Sequence, residues 1–180
     1  MTSAERERAV ALLEETRERL LGTTRGLSPT QWQYKPALDQ WSVAELVEHI
    51  AYVEGLTLIG IDRALQKEPV SIQPSEEDDA FVKRITGRVQ RLTAPERVVP
   101  SGRWALEELI PQFEAARKRS LEFAKTTEAP LRRHGFPHPF FGPLDCYQWL
   151  LLIPSHCERH RRQAEEVMGA AGFPRAAAVS

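Results

Sequence analysis

Cysteine is scarce: the chain of 180 residues has 2, Cys146 and Cys157. Two thiols cannot build a disulfide framework for a chain of this size, so stability has to come from a core or a metal. An excess of either charge is also missing, with 24 Lys+Arg against 25 Asp+Glu and a net charge of −1. Polyanion-binding tails and low-hydrophobicity disordered chains need a strong imbalance, so nucleic acid is not an expected partner. No apolar run approaches the roughly 20 residues that cross a bilayer. Met1 to Glu15 is charged throughout and has no signal-peptide core, which points to a cytoplasmic protein with no membrane association. Strand-like alternation is poor everywhere. What is present is 42% hydrophobic residues, enough for one globular domain that buries about 70% of its unfolded surface.

Glycine and proline divide the chain into helical stretches. Glu5 to Leu21 carries Val10, Leu13, Leu20 and Leu21 on one face, and Gly22 and Gly26 follow it. Ser28-Pro29-Thr30-Gln31 has a cap, a proline at the first helical position and a glutamine three residues on, the pattern of a single turn. Trp41-Ser42-Val43-Ala44-Glu45-Leu46 is the clearest helix start, with Ser42 and Glu45 forming a capping box and Trp41 packing on Leu46. That second long helix runs to about Gln66. Residues 70–100 form a long connection with a short helix through Phe81, Val82, Ile85 and Val89. Ser101 opens the third long helix, with Leu106, Leu109, Ile110, Phe113, Ala116 and Leu121 on its apolar face and a kink at Pro111. Residues 129–143 hold four prolines and two glycines and cannot stay regular for long. Asp145 then caps a fourth helix that reaches about Met168. The expectation is an all-α four-helix bundle with a long crossover between helices two and three. Residues 1–172 form its single domain and residues 173–180 a flexible tail.

Five histidines remain to be placed. At about 100° per residue, His156 and His160 stand about 40° apart on one helix face, a spacing that lets two imidazoles hold one ion. Trp149, Leu152, Ile153, Gln163 and Val167 share that face, so the pair points inward, where lost water must be replaced by partners. His49 lines up with Leu46, Val53 and Leu56 and points inward as well. A lone inward histidine is ordinarily just a hydrogen-bonded one, but three on two helices of one bundle resemble a catalytic metal site with an open position. Nitrogen ligands suit zinc, nickel, copper or iron, and the residues do not choose between them. The expectation is a divalent ion, zinc or nickel first, with iron, manganese or copper as alternatives.

Glu45, one turn before His49, is either a cap or a general base near the metal. Gln163, one turn after His160, either orients a ligand ring or ends the polar stripe. His134 and His138 have glycine and proline between them, which makes lining a pocket mouth a better role than a second metal site. Both cysteines read as buried, unreactive thiols. Glu158 reads as the partner of Arg162 in a surface pair, and Arg159, Arg161 and Arg162 as solvated helix surface. Pro154 bends the fourth helix one turn before His156, either setting the angle of the pair or carrying no functional meaning.

Taken in order, Leu27-Ser28-Pro29, Trp41 to His49, His138-Pro139-Phe140-Phe141-Gly142-Pro143-Leu144, Gln148-Trp149 and His156 to Gln163 resemble the DinB-like superfamily of four-helix bundles, which includes the YfiT-type proteins. The resemblance implies a divalent metal on His49, His156 and His160. It also implies an activity: metal-dependent transfer of a low-molecular-weight thiol, of the bacillithiol or mycothiol type, to an electrophilic small molecule. Hydrolysis at the same metal is the alternative among enzymes, with Glu45 or a loop histidine moving the proton. A non-catalytic metal- or ligand-binding stress-response bundle is the alternative outside them. Members of the family are often homodimers, which makes a homodimer an expectation by resemblance alone.

Overall fold

A computed structural model of the chain describes residues 1–70, 72–87 and 92–175. Val89 and the small-residue end at 176–180 lie outside them. Four long helices form the bundle: α1, Ser3–Thr24; α3, Val43–Leu65; α5, Leu109–Thr126; and α6, Cys146–Met168. Two short helices accompany them, α2, Pro29–Gln33, and α4, Asp78–Thr86. Around the bundle α1 packs on α6, α6 on α3, α3 on α5 and α5 on α1, so the first two long helices lie diagonally across from each other. No helix among the described residues is long and apolar enough to cross a membrane.

The starts of these helices follow from local chemistry. Thr2, Ser28 and Ser42 each accept from the amide three residues on, and the side chains of Glu5, Gln31 and Glu45 return the bond to the cap amides. Asp145 accepts from the Gln148 amide at 2.7 Å and starts α6. The buried stripe of α1 is Ala9, Leu13, Thr16, Leu20 and Thr24, with Val10 and Leu21 at its half-buried margins. In the centre of the bundle Arg117, fully buried, donates to both oxygens of Glu54 at 2.9 Å, to the Leu13 carbonyl at 2.6 Å and to the Thr16 hydroxyl at 3.0 Å. That pair ties α5 to α3 and α1 with each of its charges hydrogen-bonded, the condition for tolerating ions away from water.

Several expectations are corrected. Ser101 does not open a helix: its amide is taken by Glu48, and α5 starts at Leu109 after a 3-10 turn at Leu106–Glu108. Pro111 therefore sits in the first turn of α5, where its missing amide costs no intrahelical bond. The proline-rich segment holds an antiparallel hairpin, β1, Gly135–His138, with β2, Gly142–Asp145. The Cys146 amide donates to the His134 carbonyl, just beyond the Gly135–Asp145 pair. That makes Gly135–Asp145 a pair without ladder bonds and, two residues on, Pro137–Pro143 another, so both prolines sit where no amide is needed. Glu158 pairs with Arg162 as expected, but its carboxylate is buried and also takes charge-assisted bonds from Arg161, with Arg19 of α1 at 3.5 Å, so it is the shared acceptor of a cluster and not half of a simple surface pair. Beyond α6, Phe173 packs edge-on against Tyr34 and the Pro174 carbonyl accepts from Gln31 at 2.9 Å.

Candidate metal centre and its cavity

His49 comes from the second turn of α3, His156 and His160 from adjoining turns of α6, and the packing of these two helices brings the rings together. Ring centroids are 4.9 Å apart for His49 and His156, 4.7 Å for His49 and His160, and 4.4 Å for His156 and His160. One nitrogen from each ring lies within 4.8 Å of the other two. His49 Nε2 and His156 Nε2 are 3.1 Å apart, close to the roughly 3.3 Å edge between two nitrogens on a tetrahedral zinc.

The other ring nitrogens are held from behind. His49 Nδ1 donates to the Val98 carbonyl at 2.8 Å and His160 Nδ1 to Gln163 Oε1 at 3.0 Å, which leaves Nε2 of both as lone-pair donors toward the centre. Val98 ends a 3-10 turn, Glu96–Val98, in the crossover. The segment after it is pinned by Glu48, which is 3% exposed and accepts from the amides of Ser101 at 2.8 Å and Gly102 at 3.0 Å and from Arg103 Nη1 at 2.7 Å. Gly102 adopts φ 70°, a left-handed backbone that favours glycine. Arg103 also lies over the Tyr52 ring at 4.1 Å.

Burial lowers the pKa of His49 to about 4, with the Arg103 charge adding to it against the Val98 bond and Glu48. His156 is held well below the ordinary histidine value by burial first, then by His160, His49 and Arg159. Both rings are therefore neutral at pH 7 and keep their lone pairs. Three converging imidazoles, two of them with their tautomer set by an Nδ1 bond, fit a divalent transition ion, and the group contains no fourth protein ligand among the described residues.

The three rings line a cavity of about 600 Å³. Its other walls come from Trp41, the crossover and the hairpin. Trp41 turns its ring to His49, 4.8 Å between centroids, and to His160, 6.1 Å, so the residue expected to staple Leu46 also covers the histidines. From the hairpin side, Phe136 stacks on Trp149 at 4.1 Å and His138 on Phe141 at 4.4 Å, and Trp149 Nε1 donates to the Phe136 carbonyl. Gly60 makes room for this stack: a Cβ there would stand 2.8 Å from the Phe136 ring and push it aside.

His138 lines the cavity as expected of a pocket residue. Its Nδ1 accepts from the Phe140 amide at 3.1 Å, which puts the proton of the neutral ring on Nε2. Burial, then Arg84 and Arg97, lower its pKa to about 4. His134 is buried instead, bonded to the Ala64 carbonyl at 3.2 Å. Glu45 is not in the cavity: one oxygen accepts from the Ser42 amide at 2.8 Å and the other from Lys35 at 2.9 Å, so cap chemistry has claimed the candidate base. Arg159 is a cavity wall, bonded to the Ile85 carbonyl at 3.1 Å, and not solvated helix surface; Arg161 is turned into the Glu158 cluster. Burial raises the thiols of Cys146 and Cys157 to about 12 and about 11, as inert cysteines require. Glu48 was not legible as a site residue, because its partners Ser101, Gly102 and Arg103 lie 53 to 55 residues away and share no local motif with it.

A sequence profile of the DinB superfamily matches residues 12–164. Uncharacterized protein YuaE of Bacillus subtilis (strain 168) is 24% identical over 165 residues, covering 88% of this chain and 96% of that protein. Among solved structures, YfiT from Bacillus subtilis, described as a probable metal-dependent hydrolase with an unusual four-helix bundle topology, matches with a TM-score of 0.66 at 16% identity, over 97% of this chain and 91% of that one. TT2238, described as a four-helix bundle protein, matches with a TM-score of 0.58 at 23% identity, over 89% and 98%. Likeness at these identities carries the fold. The profile spans most of the bundle, from α1 through the histidines of α6, and the chain belongs to the DinB superfamily.

Proposed function

We propose that this chain is a divalent-metal-dependent enzyme acting on a small molecule in the cavity, and that its reaction is transfer of a low-molecular-weight thiol to an electrophile. One observation carries the reading: three imidazoles converge at the wall of a cavity of about 600 Å³, with no fourth protein ligand in the group among the described residues. His49, His156 and His160 would hold the ion, zinc or nickel by preference, which would supply the Lewis acidity that lowers the pKa of a thiol or a water.

The chain's own groups do the rest. The Val98 carbonyl and Gln163 hold the Nδ1 protons of His49 and His160, so the donors stay oriented between turnovers. The aromatic wall of Phe136, Trp149, His138 and Phe141 keeps water away from the reacting partners. His138 holds a proton at Nε2 and donates a hydrogen bond to charge that develops on the electrophile. Thiol transfer is favoured because the ligand group contains no carboxylate among the described residues and Glu45 is engaged elsewhere. A thiol, with a pKa of about 8.5, loses its proton far more readily than water and needs no strong base beside it.

Hydrolysis is the second reading, supported by the likeness to YfiT and by the carboxylates of Asp39 and Glu166 on the cavity wall. Metal-loaded protein, assayed with several thiols and a generic electrophile and separately with activated esters and amides, separates the two. The expected result is a thiol-dependent rate that chelation abolishes. A chelator-sensitive hydrolytic rate without thiol dependence selects hydrolysis, and no metal-dependent rate in either assay overturns the enzymatic reading.

A further inference from the structure

The cavity is chemically divided. On the hairpin side two stacked ring pairs, Phe136 with Trp149 and His138 with Phe141, are joined by a His138–Trp149 contact of 5.1 Å into one aromatic wall. Arg97 lines the same cavity from the crossover, and its guanidinium has no hydrogen-bond or ion-pair partner among the described residues. It directly precedes Val98, whose carbonyl bonds His49 Nδ1, and its charge also lowers the pKa of His138. The other arginines nearby are occupied: Arg84 is bound to Glu76 and Arg159 to the Ile85 carbonyl. The cavity's carboxylates belong elsewhere. Asp39 precedes Trp41, which covers the imidazoles, and Glu166 lies about 25 Å further along α6 than Trp149 at 1.5 Å per residue. An unpaired cation in the same cavity as a flat aromatic wall, with the His138 Nε2–H as a further donor, selects for a molecule that is planar at one end and negatively charged at the edge.

We infer that the hairpin half of the cavity binds a flat unsaturated or aromatic carboxylate, its plane against the Phe136–Trp149 and His138–Phe141 wall and its charge on Arg97. The inference rests on reading this cavity as the substrate site and names the electrophile's class: a conjugated acid whose carboxylate positions it beside the imidazoles.

The test uses 2-naphthoate and its neutral isostere 2-naphthamide, titrated by calorimetry into the metal-free full chain, so that no ion attracts the carboxylate. 2-Naphthoate should bind about tenfold more tightly than 2-naphthamide, the scale of one charge-assisted hydrogen bond. Arg97→Gln should remove that preference and leave 2-naphthamide affinity unchanged, whereas Arg97→Lys should keep most of it. Arg97 is exposed, and an unchanged melting temperature in both variants confirms that neither acts through the fold. Equal affinities for the two probes, no binding of either, or a preference that survives Arg97→Gln overturns the inference. Because the metal is absent from the experiment, failure of the metal or thiol assignment leaves its outcome standing.

Discussion

Glu48 joins the fold to the candidate metal centre, and Glu48→Ala is the perturbation that tests the connection. The side chain is 3% exposed and accepts from two crossover amides and one guanidinium. Hydrogen bonds to a charged group contribute about 1.5–3 kcal/mol each, but removing a buried charge also removes its own desolvation cost. The net loss should be about 3–5 kcal/mol, the range for breaking a buried pair and leaving its partners behind. In a domain of this size that lowers the melting temperature by roughly 10 °C, at about 2–4 °C per kcal/mol. The second effect distinguishes a link from plain stability. Released from Glu48, the 98–103 segment no longer holds the Val98 carbonyl on His49 Nδ1, and metal affinity should fall about 10- to 100-fold, the usual cost of losing the group behind a ligand. Glu48→Gln keeps an acceptor oxygen and should fall between wild type and alanine. Guanidinium unfolding and cobalt titration, followed by the visible absorption of the bound ion, measure the two effects. A Glu48→Ala protein with metal affinity unchanged would refute the coupling, and one with stability within about 0.5 kcal/mol of wild type would refute the energetic account.

Two further outcomes are expected. Glu54→Ala should cost about 3–5 kcal/mol in urea unfolding by stranding Arg117 in the core, while Glu54→Leu combined with Arg117→Met should recover most of it; a single variant near wild type contradicts the buried pair. Acid should weaken the metal-free protein in a defined window. Below pH 6.5 the unfolded histidines take up protons, but His49 and His138 resist until about pH 4, so the unfolded chain binds more protons and stability falls as pH falls from 6.5 toward 4. Glu5, Glu158 and Asp78, whose pKa values are lowered from 4.5, 4.5 and 3.8, add their own losses only below about pH 4.5. Between pH 6.5 and 4.5 His49 alone should account for roughly 2–3 kcal/mol, and a flat unfolding free energy across that window contradicts the burial of these rings.

What the sequence revealed and what it concealed divide along a physical line. The caps at Ser28, Ser42 and Asp145 were legible because capping joins residues three apart. The inward direction of His49, His156 and His160 was legible because helical periodicity and an apolar stripe are local properties. Pro111 was misread because a kink depends on where the helix begins, and Leu109 is its start only after the 3-10 turn. The hairpin was missed because its prolines are harmless only in the register that sets Pro137 against Pro143. Glu48, Glu54 and Arg117 were hidden because a buried charge is recognisable only by a partner, and theirs lie 53 to 104 residues away. Glu45 was legible as a cap and as a base, and the structure shows it in the cap, with its second oxygen on Lys35.

The central claim is that one ion is held by three imidazoles at the cavity wall. Calorimetric titration of metal-free protein with zinc tests it most directly, in wild type and in His49→Ala, His156→Ala and His160→Ala. The account predicts one equivalent bound by wild type, and in each variant an affinity at least a hundredfold weaker, with the zinc-induced rise in melting temperature lost in parallel. Undiminished one-to-one binding in any of the three variants would contradict it.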